Sequence, residues 1–427
     1  MLPAPGALAL LSQSGFRRFF IGYATSLLGD GMVGVALAFG VIHLTGSAAD
    51  LGYVLAARSV PLIATLLAGG VIADRLPRRQ LMIIADVTRL ASQAITATLF
   101  ITGHIQIWEL MLAQAVNGAA TAIFNPAITG FLPSIVTSDQ LQKANAMRGL
   151  AASAGYILGP AIAGILVTAT SPGWAFAVDA GTFAVSACQL ARVHPRSQAP
   201  VPGTSLLRDL RDGWTELRTR TWLWSYTVFC SAGNMFYAAF LVLGPVVIAH
   251  SRNGAAWWAV LVAALGAGAL LGSIAALHIR PQRPLRAAAL AVMLFPLPTL
   301  ALAAQLPTAG VAVLCVLAGA GTTVSNTLSE TAIQRHVRAD ALSRISAFSL
   351  LGSLATQPLG QAAVGSLGAG VGVFPALWIA GSAHMLSALS ALSVPAIRRL
   401  TAWPQADHGP PAERQSEPTP LRPLDIC

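Results

Sequence analysis

Five ionisable residues stand in stretches otherwise made of small and apolar ones: Asp30, Arg58, Asp86, Arg89 and Asp179. Asp30 lies in "LLGDGMVGVALAF", where Gly29, Gly31 and Gly34 offer small surfaces suited to close packing or a cavity wall. An ionised group in hydrocarbon costs at least a few kcal/mol, so such a residue is a functional candidate by default. Low dielectric disfavours the charged form of a carboxyl, and a carboxyl so placed can exchange a proton near neutral pH. Proton exchange at Asp30 is the chemistry expected here. A structural acid paired with an arginine is the alternative. Arg58 is the natural partner: at ~1.5 Å per residue from the turn at 46–47, the two lie at similar depth. Snorkelling to the outer surface is the other reading of Arg58. Asp179 has a similar depth and either completes the cluster or satisfies Arg58 and leaves Asp30 free. Asp86 and Arg89, three apart, read as a helix-surface ion pair tied to the charged loop before them. Glu330 is a second protonatable candidate, or a partner of Arg335 or Arg338.

The elements that must position these residues follow from composition. Of 427 residues, 55% are hydrophobic and only 10% charged, with a mean hydropathy of +0.66. Soluble domains carry roughly 25% charged residues, and surface-to-volume scaling prevents a chain this apolar from hiding its surface from water. Lipid is its natural solvent. Windows of about 20 apolar residues, enough to cross a hydrocarbon core, fall near 18–43, 51–73, 80–102, 107–131, 142–170, 174–193, 221–249, 256–278, 287–305, 309–333, 343–368 and 373–394. Outer-membrane barrel strands would be about ten residues long and alternating, and these are neither. The expectation is an all-α membrane protein of twelve transmembrane helices.

The net charge of +10 suggests nucleic acid until its distribution is read. With a cytoplasmic N-terminus, 23 of the 26 Lys and Arg fall in or beside cytoplasmic segments. The exceptions are Arg252, Arg58 and Arg89. This is the positive-inside pattern of a multi-pass cell-membrane protein with both termini cytoplasmic. Trp108, Trp174, Trp257 and Trp258 open their helices at the outer interface. The four cysteines form no disulfide or metal pattern. The N-terminal charges follow the apolar stretch, the reverse of a cleavable signal, and the C-terminus is no prenylation box. With no His-Glu-x-x-His, nucleophile–base spacing or Walker-type loop, neither an enzyme, a metal, a cofactor nor ATP is expected.

A shift of 201 residues lays 118–166 on 319–367 without a gap, with 15 of 49 positions identical. Asn125 meets Asn326, Asp139 meets Asp340, Gly159 meets Gly360 and Gly164 meets Gly365. Two six-helix bundles in the same orientation, a parallel repeat, follow: 1–194, then a cytoplasmic linker 195–220, then 221–396. The Pro-rich, charged tail 397–427 is expected to be disordered.

"LLGDGMVGVALAF", "GGVIADRLPRRQLMIIADVTRL", "FNPAITGFLPSIV" and "LGPAIAGIL" together resemble the major facilitator superfamily, in its drug:proton antiporter branch with macrolide-efflux and enterobactin-exporter-like proteins. The family loop Gly-x-x-x-Asp-Arg-x-Gly-Arg-Arg is met by Gly70, Asp74, Arg75, Arg78 and Arg79, with Pro77 in place of a glycine. In the fourth span, Gln114 and Asn117 stand where many antiporters have Arg and Gln before Gly118. The resemblance implies that Asp74 reaches the start of the eleventh span near Arg344 and latches the halves, a cytoplasmic gate adjoining Asp86 and Arg89. Arg75, Arg78 and Arg79 also serve topology. Gly155, Gly159, Pro160 and Gly164 resemble an exporter motif of the fifth span, or form a generic kinked, tightly packed helix. A cavity between the halves is expected to draw on Phe39, Asn125, Tyr156, Asn234, Phe236, Tyr237, Asn326 and Gln357, whose aromatics and amides suit a bulky amphipathic ligand. The function implied is export of a lipophilic or amphipathic small molecule in exchange for protons, by a monomer. An uncoupled facilitator or nutrient importer, and a lipid flippase or accessory membrane protein, are the alternatives.

Overall fold

The computed structural model describes residues 9–75, 77–195, 215, 218–249, 251, 253–337 and 339–401, with the side chains of 66–75, 138, 339–344 and 346–347 outside the description. The fold is all-helical among these residues. Helices α1 (Ser14–Thr45), α2 (Ala48–Arg75), α3 (Arg78–Thr102), α4 (Ile107–Phe131), α5 (Leu141–Ala169) and α6 (Pro172–Ala191) form the first half of the chain. The second half holds α7 (Thr221–Ala249), α8 (Gly254–His278), α9 (Pro284–Val292), α10 (Leu297–Ala303), α11 (Thr308–His336), α12 (Ala339–Leu354), α13 (Gln357–Val371), α14 (Val373–Ala391) and α15 (Pro395–Arg399). Helix occupies each apolar window of the sequence, and among the described residues eight segments are long and apolar enough to cross a membrane. Two windows are broken. α9 stops before Pro296, and α12 gives way to α13 just before Pro358. Proline lacks the N–H that continues a helix and disfavours helical backbone at the residue before it.

Short turns join the helices at what we term the glycine-turn end. Gly46 adopts φ 65° and donates its N–H to Ile42 O, closing α1. Gly103 (φ 74°) ends α3 in the same way. Such backbone favours glycine, which has no Cβ to clash. The opposite end carries Arg17, Arg18, Arg78 and Arg79, and we term it the arginine end.

In the first half α1 packs on α5 and α6, α3 on α4 and α6, and α2 on α4. In the second, α8 and α9 pack on α11, and α7 on α12, α13 and α14. The halves meet chiefly along α2–α13 and α5–α8. At the glycine-turn end one continuous core unites them, including Leu37, Phe176, Phe240, Trp258 and Leu302. Toward the arginine end the cores are separate: Phe16, Phe19, Met82 and Phe131 in the first half, Tyr226, Leu285, Leu328 and Ile397 in the second. The described cores are therefore fused at one end and split at the other.

Two expectations change here. Trp258 does not sit at an interface. It is 2% exposed, packs tilted against the Phe240 ring at 4.9 Å and fills the space beside Gly244. Trp108, Trp174 and Trp257 are exposed as expected. The tail does not begin at 397: α15 runs to Arg399 with Ile397 fully buried, because Pro395 starts a helical turn and Ile397 completes an apolar cluster. Residues 402–427 and most of the 195–220 linker lie outside the described residues.

Candidate functional site

Four helices converge on a charge cluster inside the first half. α1 brings Asp30, α2 Arg58, α3 Asp86, Arg89 and Gln93, and α6 Asp179 and Ser186. The spacing of 86, 89 and 93 puts three polar groups on one face of α3, and that of 179, 183 and 186 puts Asp179, the Phe183 ring and Ser186 on one face of α6. Asp30 lies between two guanidiniums, 3.5 Å from Arg58 Nη2 and 3.5 Å from Arg89 Nη1. Arg89 also pairs with Asp86, whose other carboxylate oxygen accepts a hydrogen bond from Ser186 Oγ at 2.6 Å. The Arg89 guanidinium is sandwiched between the Phe124 and Phe183 rings at 4.4 and 4.2 Å, a geometry that favours a planar cation. Asp179 accepts a hydrogen bond from Gln93 Nε2 at 2.6 Å and lies beside Thr182 and Gly29. It has no salt bridge among the described residues.

Exposure divides the cluster by role. The side chains of Asp30 and Arg58 are 23% and 24% exposed, whereas those of Arg89 and Asp86 are 2% and 0%. Breaking a sealed pair strands a charge and costs about 3–5 kcal/mol, while a partly wet pair contributes about 1 kcal/mol or less. Arg89–Asp86 is thus the fixed part, and Asp30 the accessible part.

Asp30 and Arg58 meet as the sequence anticipated. Asp86 and Arg89 do pair, but not on a helix surface beside the loop: both are interior and join Asp30. A window fixes depth along a helix but not which face meets its neighbours. Gln93, Ser186, Phe124 and Phe183 were missed. The four- and seven-residue steps from Arg89 and Asp179 could have drawn attention to three of them. Gln114 and Asn117 are fully buried on α4, and Gly118 lies directly against the Arg58 backbone.

At the arginine end, Arg78 Nη1 donates to Gly130 O at 2.7 Å, at the end of α4. Arg79 donates to Leu190 O at 3.0 Å and to Ala191 O, at the end of α6. Arg18 reaches Arg192 O at 2.6 Å, and Arg220 reaches His336 O, the last residue of α11, at 2.6 Å. Cations suit the carbonyl ends of helices, so these arginines cap the helix ends they reach. The side chains of Gly70, Asp74, Arg75 and Arg344, the rest of the expected gate, lie outside the described residues.

The small residues of α5 form two seams. A Cβ on Gly159 would stand 2.7 Å from Gly31 Cα, and one on Gly155 2.7 Å from Leu27 O, so α5 lies against the backbone of α1 there. Gly164 meets Ala259 of α8 across the halves. Pro160 is buried within the helix. Among the cavity candidates, Asn234 and Asn326 share one cavity in the second half. Phe39 and Tyr237 pack against the main core instead, Tyr237 stacking on Phe295 at 4.4 Å. Phe236 lies 6.5 Å from the His384 ring. Asn125 and Tyr156 are exposed and Gln357 half-buried. Of these eight residues, Asn234 and Asn326 line the described cavity of the second half.

Residues 19–360 match the sequence profile of the Major Facilitator Superfamily. The chain belongs to that superfamily. Macrolide efflux protein A of Streptococcus pyogenes is 24% identical over 244 residues, 56% of this chain. The chain spans only 60% of that relative's length. The multidrug efflux pump Tap of Mycobacterium tuberculosis is 26% identical over 412 residues, 91% of this chain and 96% of that one. Among solved structures, the nucleoside transporter NupG aligns with a TM-score of 0.74 at 12% identity, over 90% of this chain and 99% of that one. A bacterial homologue of the lysosomal transporter Spinster aligns at 0.67 and 13% identity, over 92% and 96%. This superfamily member has the helices of a multi-pass membrane protein. Its relatives include proteins named for efflux.

Proposed function

We propose that this transporter exports a lipophilic or amphipathic small molecule in exchange for protons, by alternating access of two bundles, 1–194 and 221–396. It works as a monomer in the cell membrane, one chain carrying both halves of the repeat. The arginine end faces the cytoplasm, by the positive-inside rule.

The observation that carries the coupling is a charge count. Asp30, Asp86 and Asp179 face Arg58 and Arg89: three carboxyls against two guanidiniums in one cluster. With every group ionised the cluster holds one uncompensated negative charge, which is costly at low dielectric. One proton removes it. Asp179, held by Gln93 and Thr182 and without a salt bridge among the described residues, is the carboxyl left over, since Asp30 and Asp86 pair with the two arginines. Asp30 is the member with solvent access, and Arg58 follows its charge.

The fused core at the glycine-turn end and the split cores at the arginine end support a state open to the cytoplasm. In the opposite state the 69–80 turn would close that end, with Asp74 reaching toward Arg344. The efflux-named relatives support outward transport.

The test is a pH-sensitive dye inside proteoliposomes loaded with an exported compound. Substrate movement is expected to shift internal pH in the wild type. Asp30→Asn and Asp179→Asn should each abolish the proton signal, while Glu109→Gln, at the glycine-turn end, should not. Transport without any proton movement in the wild type overturns coupling and favours an uncoupled facilitator.

A further inference from the structure

The second half contains a cavity of about 440 Å³ among α7, α9, α11, α12 and α14, running from the middle of the helices toward the arginine end. Its lining is selective in charge. Glu330 of α11 is the one charged residue of the lining described, with neither Lys nor Arg. Glu330 is exposed there, and among the described residues it makes no salt bridge. Aromatic walls come from Tyr226, Phe229 and Phe295. On α14, His384 is 2% exposed, and its Nδ1 makes no hydrogen bond. Phe295 stands edge-on to its ring at 5.4 Å.

Register sharpens the contrast. The 201-residue shift lays α6 on α14 and sets Phe183 opposite His384. Phe183 packs on the Arg89 guanidinium at 4.2 Å, in a first half filled by its ion cluster. The matching interior of the second half is open and carries a ring nitrogen without a partner. A buried polar atom left unpaired is rare in native proteins and calls for an explanation. A ligand that bonds to it supplies one.

We propose that this cavity binds a monocationic amphipathic molecule, a protonated amine or quaternary onium group on an apolar body. Glu330 faces the charge, the aromatic walls take the apolar part, and His384 Nδ1 takes up a polar group of the ligand when it has one. A carboxylate with no cationic partner among the described residues attracts a cation and repels carboxylates and phosphates. Aromatic faces add cation–π attraction. The volume suits a drug-sized ligand. The proposal names the substrate class of the export reading and rests on it for direction of transport, but the binding step requires neither protons nor a gradient.

The experiment is equilibrium binding of radiolabelled tetraphenylphosphonium to the purified full-length protein in detergent, with tetraphenylborate as an isosteric anion. Saturable binding is expected, displaced by unlabelled cation and not by the borate. Glu330→Gln should weaken it about tenfold, the scale of one lost charged contact, and Glu330→Asp should restore most of it. Glu109→Gln, at the glycine-turn end, should bind as the wild type does. Equal affinity in Glu330→Gln, or equal displacement by the anion, overturns the proposal. The monodisperse Asp variant guards against misfolding: if it too fails to bind while eluting as a folded monomer, a carboxylate at 330 is not the determinant. Binding without proton-linked transport in vesicles refutes the export reading alone. Proton-linked transport of other compounds without phosphonium binding refutes this site alone.

Discussion

Arg89 holds more of the first half together than any other single side chain in the cluster. It pairs with Asp86, approaches Asp30 and is clasped by two phenylalanine rings. Arg89→Met would leave Asp86 sealed away with only Ser186 for company. The expected cost is about 3–5 kcal/mol, read as a lower unfolding temperature of the purified protein and less protein recovered from membranes. Arg89→Lys should fall between, since an ammonium lacks the planar fork and stacks less well. Unchanged stability in Arg89→Met would show that the clasp is incidental. The sequence announced that these charges are functional candidates, because a charged residue in an apolar window is conspicuous. It did not announce Gln93 or Ser186, whose polarity is ordinary and whose importance comes from the face they share with Asp86 and Asp179.

At the scale of the helix, small residues decide which elements touch. α5 lies against α1 along Gly155 and Gly159 because nothing larger than hydrogen fits beside Leu27 and Gly31. Gly159→Leu should drive α5 and α1 apart, and destabilise by about 1–3 kcal/mol or more as an overpacked core does. Gly149→Leu, with open space beside its Cα, should be neutral in the same helix. Thermal unfolding followed by size-exclusion separates the two. Helix positions were readable from hydropathy, and so was the turn at 46–47 between the first two windows. The breaks before Pro296 and Pro358 were not taken from sequence, since hydropathy is blind to a missing N–H. Nor was the burial of Trp258: an interfacial belt explains Trp108, Trp174 and Trp257, and packing against Phe240 explains Trp258.

The molecule as a whole is closed at one end by contacts between its halves. Tyr53 OH of α2 meets Ser366 Oγ of α13 at 3.1 Å, and Ser59 Oγ donates to Gln361 Oε1 at 2.9 Å. If the halves rock, these contacts must part in every cycle. With the native cysteines replaced, Tyr53→Cys and Ser366→Cys joined by a short bifunctional thiol reagent should stop transport, and cleavage of the linker should restore it. Full activity while cross-linked would mean that this seam never opens. The repeat was legible as an alignment of residue types. Which end is shut was not, because hydropathy does not say which faces of the two halves touch.

The arginines of the split end have a consequence for how such a chain can vary. Each of Arg18, Arg78, Arg79 and Arg220 grips the carbonyl terminus of a helix remote in sequence. Lysine would satisfy the insertion machinery equally well, as only the charge is read while the chain threads into the bilayer. Yet it would grasp those termini with a single mobile ammonium. Orientation at birth and rigidity in service are therefore encoded by the same side chains, and drift that is silent for the first is not silent for the second.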